Sequence, residues 1–216
     1  DDSELQIICS NAFDNSVIEY LKIPSSVIEF QFGWCHNVPY LTDIKIMQRK
    51  KQNILFYENK FIIGKSDQKI EKFDTIIVAR RDIDEVIIPS FIKKIDSFAF
   101  EKCIKLQKVE FQNNSELKII GQNAFTKTYI CNVSIPPSVY KIGKYSFAYC
   151  AFLQSFEISS RNEFCDISDF VFFNTSLKKL TIPSSGIKFQ NGWCRGVSQL
   201  NDIKITLMSK IVSEII

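Results

Sequence analysis

Few residues of this chain combine in a way that could do covalent chemistry. His36 is the only histidine among 216 residues, and it follows Cys35 directly. A thiol needs a neighbouring base to act as a nucleophile, so Cys35 and His36 form the one candidate pair. Adjacent side chains in an extended or turn segment point apart, and a matching stretch of sequence carries Arg195 after Cys194. Both points argue against a catalytic pair. The seven cysteines include no Cys-x-x-Cys, and a His-based zinc site would have a single candidate ligand. Gly64-Lys65-Ser66 matches the tail of a phosphate-binding loop, but Asn59 stands where that loop needs its first glycine. The expectation is therefore no enzyme: no catalytic, cofactor-binding or metal-binding residues, and no cofactor.

The elements that carry these residues must be inferred from pattern. Hydrophobic residues make up 45% of the chain, enough for a substantial core and too many for a disordered class. Nineteen phenylalanines against two methionines imply that Phe fills a repeated core position. The net charge of +3 is small and dispersed, which gives no nucleic-acid footprint. No apolar run reaches the roughly 18 residues of a membrane helix, so no direct membrane insertion is expected in this segment. The odd cysteine count leaves at least one thiol unpaired. Short basic clusters at Arg49-Lys50-Lys51 and Arg80-Arg81 are expected to be solvated, and Asn113, Asn132 and Asn174 begin glycosylation-type triplets.

A repeat organises the whole chain. Aligned on the apolar residue that ends each short strand, it gives Ile23, Ile46, Ile88, Phe111, Ile135, Ile158, Ile182 and Ile205. Every step is 23 or 24 residues except the one from Ile46 to Ile88, which is 42. That period lies within the roughly 20–29 residues of leucine-rich repeats. A second landmark recurs within the unit: Ile95 to Ala99-Phe100-x-x-Cys103, Ile120-Gly121 to Ala124-Phe125, and Ile142-Gly143 to Ser146-Phe147-x-x-Cys150, with weaker copies ending at Phe13 and Phe172. Proline follows the strand end at Pro24, Pro89, Pro136 and Pro183, where a missing N–H stops the ladder. Val109 and Phe111 must face one way and Lys108 and Glu110 the other. One such strand cannot bury its apolar face alone, so the units are expected to stack into a continuous parallel ladder. Phe100, Phe125, Phe147 and Phe172 then form an aromatic spine. The glycine of each Ile-Gly pair is expected to serve a turn with positive φ.

A longer period is superimposed. Residues 15–46 match residues 174–205 without gaps, at an offset of 159. Trp34-Cys35 and Trp193-Cys194 thereby occupy the slots of Ala99-Phe100, and both tryptophans are expected to be core plugs. The long step at 47–87 holds strand-like runs at 54–57, 61–63 and 75–79, with Glu58-Asn59-Lys60 between the first two. It is expected to protrude as a hairpin and then rejoin the ladder.

These motifs resemble the BspA-like leucine-rich-repeat family, whose repeat joins an Ile-Pro strand end to Ile-Gly-x-x-Ala-Phe-x-x-Cys. The stretch from Val133-Ser134-Ile135-Pro136 through Ile142-Gly143 to Ser146-Phe147-Ala148-Tyr149-Cys150 follows it closely. The Trp-Cys units, the units of Phe125 and Phe172 that lack the Cys, and the insertion depart from it. The repeat spacing and the duplicated block predict one solenoid over residues 1–216, of about seven repeats with an insertion at 47–87, expected to be a fragment or the end of a longer array. The resemblance implies a parallel ladder on a concave face, short turns or 3-10/helical pieces on the convex face, and one inserted hairpin. It further implies a surface protein that binds host matrix or other cells and carries out no catalysis. An intracellular structural scaffold, for example cytoskeleton-associated, is the alternative, towards which cysteines without a pairing plan lean.

The contact surface is expected on the strand residues facing away from the core. Three residues before each strand end lie Tyr20, Asp43, Glu85, Lys108, Asn132, Ser155, Lys179 and Asp202. One residue before it lie Lys22, Lys45, Glu110, Ser134, Glu157, Thr181 and Lys204. Mixed signs suit a protein partner, whose complementary charge sets specificity, and do not suit a nucleic acid.

Overall fold

The computed structural model describes residues 5–69, 71–159, 164–184 and 186–207. The chain begins with two rungs of paired parallel strands: β1 (Ile7–Ile8), β2 (Tyr20–Pro24), β3 (Glu29–Phe30) and β4 (Asp43–Met47), with β1 beside β3 and β2 beside β4. An antiparallel hairpin follows, β5 (Ile54–Tyr57) and β6 (Phe61–Gly64), and then β7 (Thr75–Ala79), antiparallel to β6. Glu58 and Asn59 close the hairpin, both left-handed (φ 48° and 54°), with Lys60 N–H donating to Tyr57 O at 2.9 Å.

Two kinds of strand then alternate: β8 (Glu85–Ile88), β9 (Lys94–Ile95), β10 (Lys108–Phe111), β11 (Ile119–Ile120), β12 (Asn132–Ile135), β13 (Lys141–Ile142), β14 (Ser155–Ile158), β15 (Cys165–Ile167), β16 (Lys179–Pro183), β17 (Ile187–Phe189) and β18 (Asp202–Thr206). The even-numbered members from β8 to β18 form a six-stranded parallel sheet. The odd-numbered ones join β7, β6 and β5 in an eight-stranded sheet. The first sheet is the anticipated ladder, in the register that aligns Ile88 with Phe111 and Ile135 with Ile158. The second lies where only a landmark isoleucine was read, because its strands are two or three residues long beyond β7. No helix occurs among the described residues, so the helical pieces expected beside the ladder are replaced by this sheet and by turns.

The turn side has its own stacking rule. Counting from the spine residue, positions −2 and +2 are left-handed in every unit: Asn11 and Asn15 around Phe13, Gly33 and Asn37 around Cys35, Phe98 and Lys102 around Phe100, and so on to Gly192 and Gly196 around Cys194. This alternation points successive odd-spaced N–H groups at the next rung. Phe98, Phe100 and Lys102 donate to Gln122, Ala124 and Thr126 at 3.0, 2.8 and 2.9 Å. Asn and Gly accept the left-handed conformation readily, whereas other L-residues pay about 1–2 kcal/mol for it.

Inside, the spine is a stack of rings: Phe100 on Phe125 at 4.9 Å and 6°, Phe125 on Phe147 at 5.2 Å and 10°, Phe147 on Phe172 at 6.2 Å and 26°. Phe61 from the hairpin closes one end edge-on and Trp193 the other. Gly121 and Gly143 are not left-handed, contrary to expectation. A Cβ on Gly121 would fall 2.6 Å from Ser97 N, and one on Gly143 2.7 Å from Gln122 N. Glycine is required there because neighbouring rungs touch backbone to backbone.

The insertion does not protrude. Phe61, Ile62, Ile63 and Ile76 are buried, and β6 is covered on both faces. Phe61, Ile63 and Ile76 belong to the large core that continues to Leu180. Ile54, Ile62, Ile77 and Val78 belong to a second core with Leu21, Trp34 and Leu41. The expected continuous ladder is accordingly cut: β2 and β4 form a sheet of their own, and residues 48–84 stand between them and β8.

Arg81 ties the two parts together and is buried, not solvated. Its Nε donates to Val38 O at 3.1 Å, Nη1 to Ala99 O at 2.8 Å and Nη2 to Phe98 O at 3.3 Å, and its own N–H reaches Leu41 O at 2.8 Å. Carbonyls at turn ends need donors, and the guanidinium fork supplies several from one side chain.

Candidate interaction surface

The strand residues expected to face a partner do line up. Glu85, Lys108, Asn132, Ser155, Lys179 and Asp202 follow one another across the six-stranded sheet, and beside them run Glu110, Ser134, Glu157, Thr181 and Lys204. The intervening residues Val86, Val109, Val133, Phe156 and Leu180 are buried, as alternation requires. Tyr20, Lys22, Asp43 and Lys45 make the same pattern on the separate two-stranded sheet, so they are not part of this surface. Thr181 departs from expectation: it is only 8% exposed, since its short side chain lies in register between Glu157 and Lys204.

Charges on this sheet are largely neutralised locally. Lys108 Nζ lies 2.8 Å from Glu110 Oε1, and Lys179 Nζ lies 3.9 Å from Asp202 Oδ2. The Lys108 ammonium is held above its usual value by the hydrogen bond and charge of Glu110. Such exposed pairs contribute little to stability and are available to exchange partners.

One seam in the sheet is open. β10 pairs with β8 over four residues, and β12 with β14 over four, but β10 meets β12 only at Lys108 and Asn132. Beyond that point Val109–Phe111 and Val133–Ile135 are not in ladder register. From strand end to spine residue the unit of β10 takes 14 residues (111 to 125), as does that of β14 (158 to 172), against 12 in the unit between them (135 to 147). The loop after β10 is tied backwards to the β8 rung: Gln112 N–H to Ile88 O at 3.0 Å, Ser90 N–H to Gln112 Oε1 at 3.0 Å, and Glu116 N–H to Ser90 O at 2.8 Å. A cleft of about 770 Å³ opens over the seam, lined by Ile87, Val109, Phe111, Ser134, Ile135 and Pro136 among others. A shallower one of about 350 Å³ continues it towards Lys108, Ser155 and Glu157. Strand-end alignment hides the longer loop, because the return from Phe125 to Ile135 takes 10 residues against 11 from Phe147 to Ile158 and so offsets one of the two extra residues.

The residues with potential chemistry are engaged elsewhere. Burial pushes the Cys35 thiol up to about 12, and Arg81 nearby only partly opposes this. His36 turns to two carboxylates, with Nδ1 2.7 Å from Asp14 Oδ1 and Nε2 3.6 Å from Glu101 Oε1. In the loop after Gly64, Ser66 N–H and Oγ both donate to the Asp74 carboxylate at 2.8 Å, an anion of the chain's own. All seven cysteines are free. Among the described residues no three His, Cys, Asp or Glu side chains gather as a metal-binding group, and no helix is long and apolar enough to cross a membrane.

No curated protein matches the chain. Solved structures do. A leucine rich cell surface protein from Faecalibacterium prausnitzii superposes with a TM-score of 0.78 at 21% identity, covering 91% of this chain and 50% of that one. A leucine-rich repeat protein from Eubacterium ventriosum gives 0.73 at 16% identity, covering 94% and 52%. The chain thus spans about half the length of each, and at these identities the likeness concerns the fold. The model of the BspA type leucine rich repeat region matches in six copies, over residues 2–75 and 77–208. Repeats of this kind generally serve protein–protein recognition through their extended stacked surfaces. On that match, which takes in nearly every residue, the chain belongs to the BspA-type leucine-rich-repeat family.

Proposed function

We propose that this chain is a non-catalytic binding module that takes a protein partner on its six-stranded sheet, at the cell surface, in adhesion to host matrix or another cell. The observation that carries the reading is the open seam between β10 and β12. Where the two strands leave register, their backbone groups face an extended partner segment, and the cleft offers its side chains both polar Gln112, Asn113 and Asn114 and apolar Ile87, Val109 and Phe111. The mixed charges around the seam supply complementarity. The cell-surface description of the F. prausnitzii protein supports the location.

The test is a double charge reversal, Lys108→Glu with Glu110→Lys, on the margin of the seam. Binding to immobilised fibronectin, laminin and collagen is measured for both proteins, with circular dichroism as a check on folding. We expect a folded variant whose binding to at least one matrix protein falls about tenfold, the loss of an interfacial charge contact. Binding that is absent in the parent chain, or unchanged in the variant, counts against the sheet as the contact surface.

The seven free cysteines favour a second reading, an intracellular scaffold, since free thiols persist in reducing compartments. Antibody labelling of intact against permeabilised cells separates the two. Labelling only after permeabilisation overturns the surface location.

A further inference from the structure

The left-handed positions of the turn side are not filled evenly. In the first two units and the last they hold Asn or Gly throughout, the types that fit without strain. In the four middle units six of the eight hold something else: Phe98, Lys102, Lys127, Tyr145, Tyr149 and Phe170. Large or charged residues held in this region of backbone space mark positions where the side chain matters more than the local cost.

Phe98 is buried against Phe32 and His36, and the other five lie on the turn side with their neighbours. Tyr145 stacks on Phe170 at 5.1 Å and 10°, and Tyr149 meets Phe173 edge-on at 5.3 Å. Lys144 lies 5.4 Å from the Tyr145 ring centre, and Lys127 lies 5.6 Å from that of Tyr149. Lys102 and Lys127 stand two residues after the spine on consecutive rungs, about 5 Å apart along the stack, and Lys144 stands three residues before it on the next rung. None of the three has an ion-pair partner among the described residues, in contrast to Lys108 and Lys179 on the six-stranded sheet. The Lys102 ammonium is pushed below its usual value, first by partial burial and then by the neighbouring Lys127.

The arrangement selects a ligand chemistry. Tyr145 and Phe170 spend their faces on each other and on Lys144, and Lys127 covers the ring of Tyr149. The ammonium groups, without carboxylate partners, place positive charge along three rungs of the stack, suited to a linear polyanion with closely spaced charges. A nucleic acid would need free ring faces for its bases, and these faces are taken. We infer that the turn side of the middle units, centred on Lys102, Lys127 and Lys144, is a second binding surface, for a sulfated polysaccharide.

Heparin is the probe, applied to the intact chain and to a triple variant Lys102→Gln, Lys127→Gln, Lys144→Gln, with titrations over a salt series. We expect the parent to bind at physiological salt and the triple variant to bind on the order of tenfold more weakly with a shallower salt dependence. An unchanged melting temperature shows that the exposed lysines were replaced without unfolding. The Lys108→Glu, Glu110→Lys variant is expected to bind heparin like the parent, which keeps this surface distinct from the sheet. No heparin binding by the parent, or equal binding by the triple variant, overturns the inference. Equal retention on polyglutamate or single-stranded DNA overturns the polysaccharide assignment.

Discussion

Residues 15–46 and 174–205 share a sequence pattern and a backbone course, yet they end in different environments. The strand pairs match residue for residue: Tyr20 with Asp43 in the first, Lys179 with Asp202 in the second. In the first copy Trp34 is 3% exposed, Leu41 0% and Ile44 3%, whereas in the second Trp193 and Leu200 are half-buried and Ile203 is 55% exposed. The difference comes from what lies on top. The hairpin of β5 and β6, with β7, lays Ile54, Ile62, Ile77 and Val78 over the first copy. Among the described residues no strand lies on the outer side of β18. A repeat therefore encodes its own turns and strand register, but not its own burial, which its neighbour provides.

The sharpest way to break this comparison is to truncate the two tryptophans. Trp34→Ala should cost about 3–5 kcal/mol, as loss of a fully buried large aromatic does. Trp193→Ala should cost roughly 1–2 kcal/mol, since much of its surface already meets water. Urea denaturation of each variant gives both numbers. Equal losses would mean that the hairpin contributes no burial of its own.

A smaller effect is expected at the joint between the two cores. Arg81→Met keeps the length of the side chain and removes the guanidinium donors to Val38, Phe98 and Ala99. Losing charge-assisted hydrogen bonds is offset by relief of the guanidinium's burial, for a net loss of about 2 kcal/mol. Unfolding should then become less cooperative, because one of the contacts that couple residues 5–47 to the remaining array is gone, while Phe98 and Glu101 still reach Phe32, His36 and Asn37. An unchanged cooperativity with a loss under about 0.5 kcal/mol would show that the hairpin and these contacts couple the cores without Arg81.

How far the sequence discloses these features depends on whether a feature recurs. The spine of Phe100, Phe125, Phe147 and Phe172 and the register of the six-stranded sheet were legible, because each repeats at 23 or 24 residues. The second sheet escaped notice, since two-residue strands leave no alternation to detect. Position alone placed Arg81 in a basic cluster. Only the geometry shows the carbonyls converging on it, and a lone buried arginine has no periodic signature. Of the strand-face residues, those from Glu85 to Lys204 align as the repeat dictates, but no pattern shows that residues 48–84 detach Tyr20, Lys22, Asp43 and Lys45. The seam between β10 and β12 leaves no trace in the strand-end alignment, which records the step between strands and not how far they pair.

The finest test of the comparison uses the thiols that occupy the spine slot in each copy. Cys35 is 1% exposed, and burial pushes its thiol up from 9.0 to about 12. Cys194 is half-buried, and burial raises its thiol too, without bringing it to a comparable environment. An unfolded thiol ionises near pH 9, while folded Cys35 keeps its proton to about 12. Between those limits the unfolded chain binds fewer protons than the folded one, so stability must fall as pH rises, by up to about 1.4 kcal/mol per pH unit. Below pH 9 this contribution is constant. Cys35→Ala should therefore flatten the fall of the urea midpoint between pH 9 and 10.5, and Cys194→Ala should flatten it less. Iodoacetamide at pH 8 supplies the kinetic counterpart: Cys194 should be alkylated in the folded protein, and Cys35 only on unfolding. Alkylation of both at one rate would place the two slots in equivalent surroundings, and the covering role assigned to the hairpin would have to be abandoned.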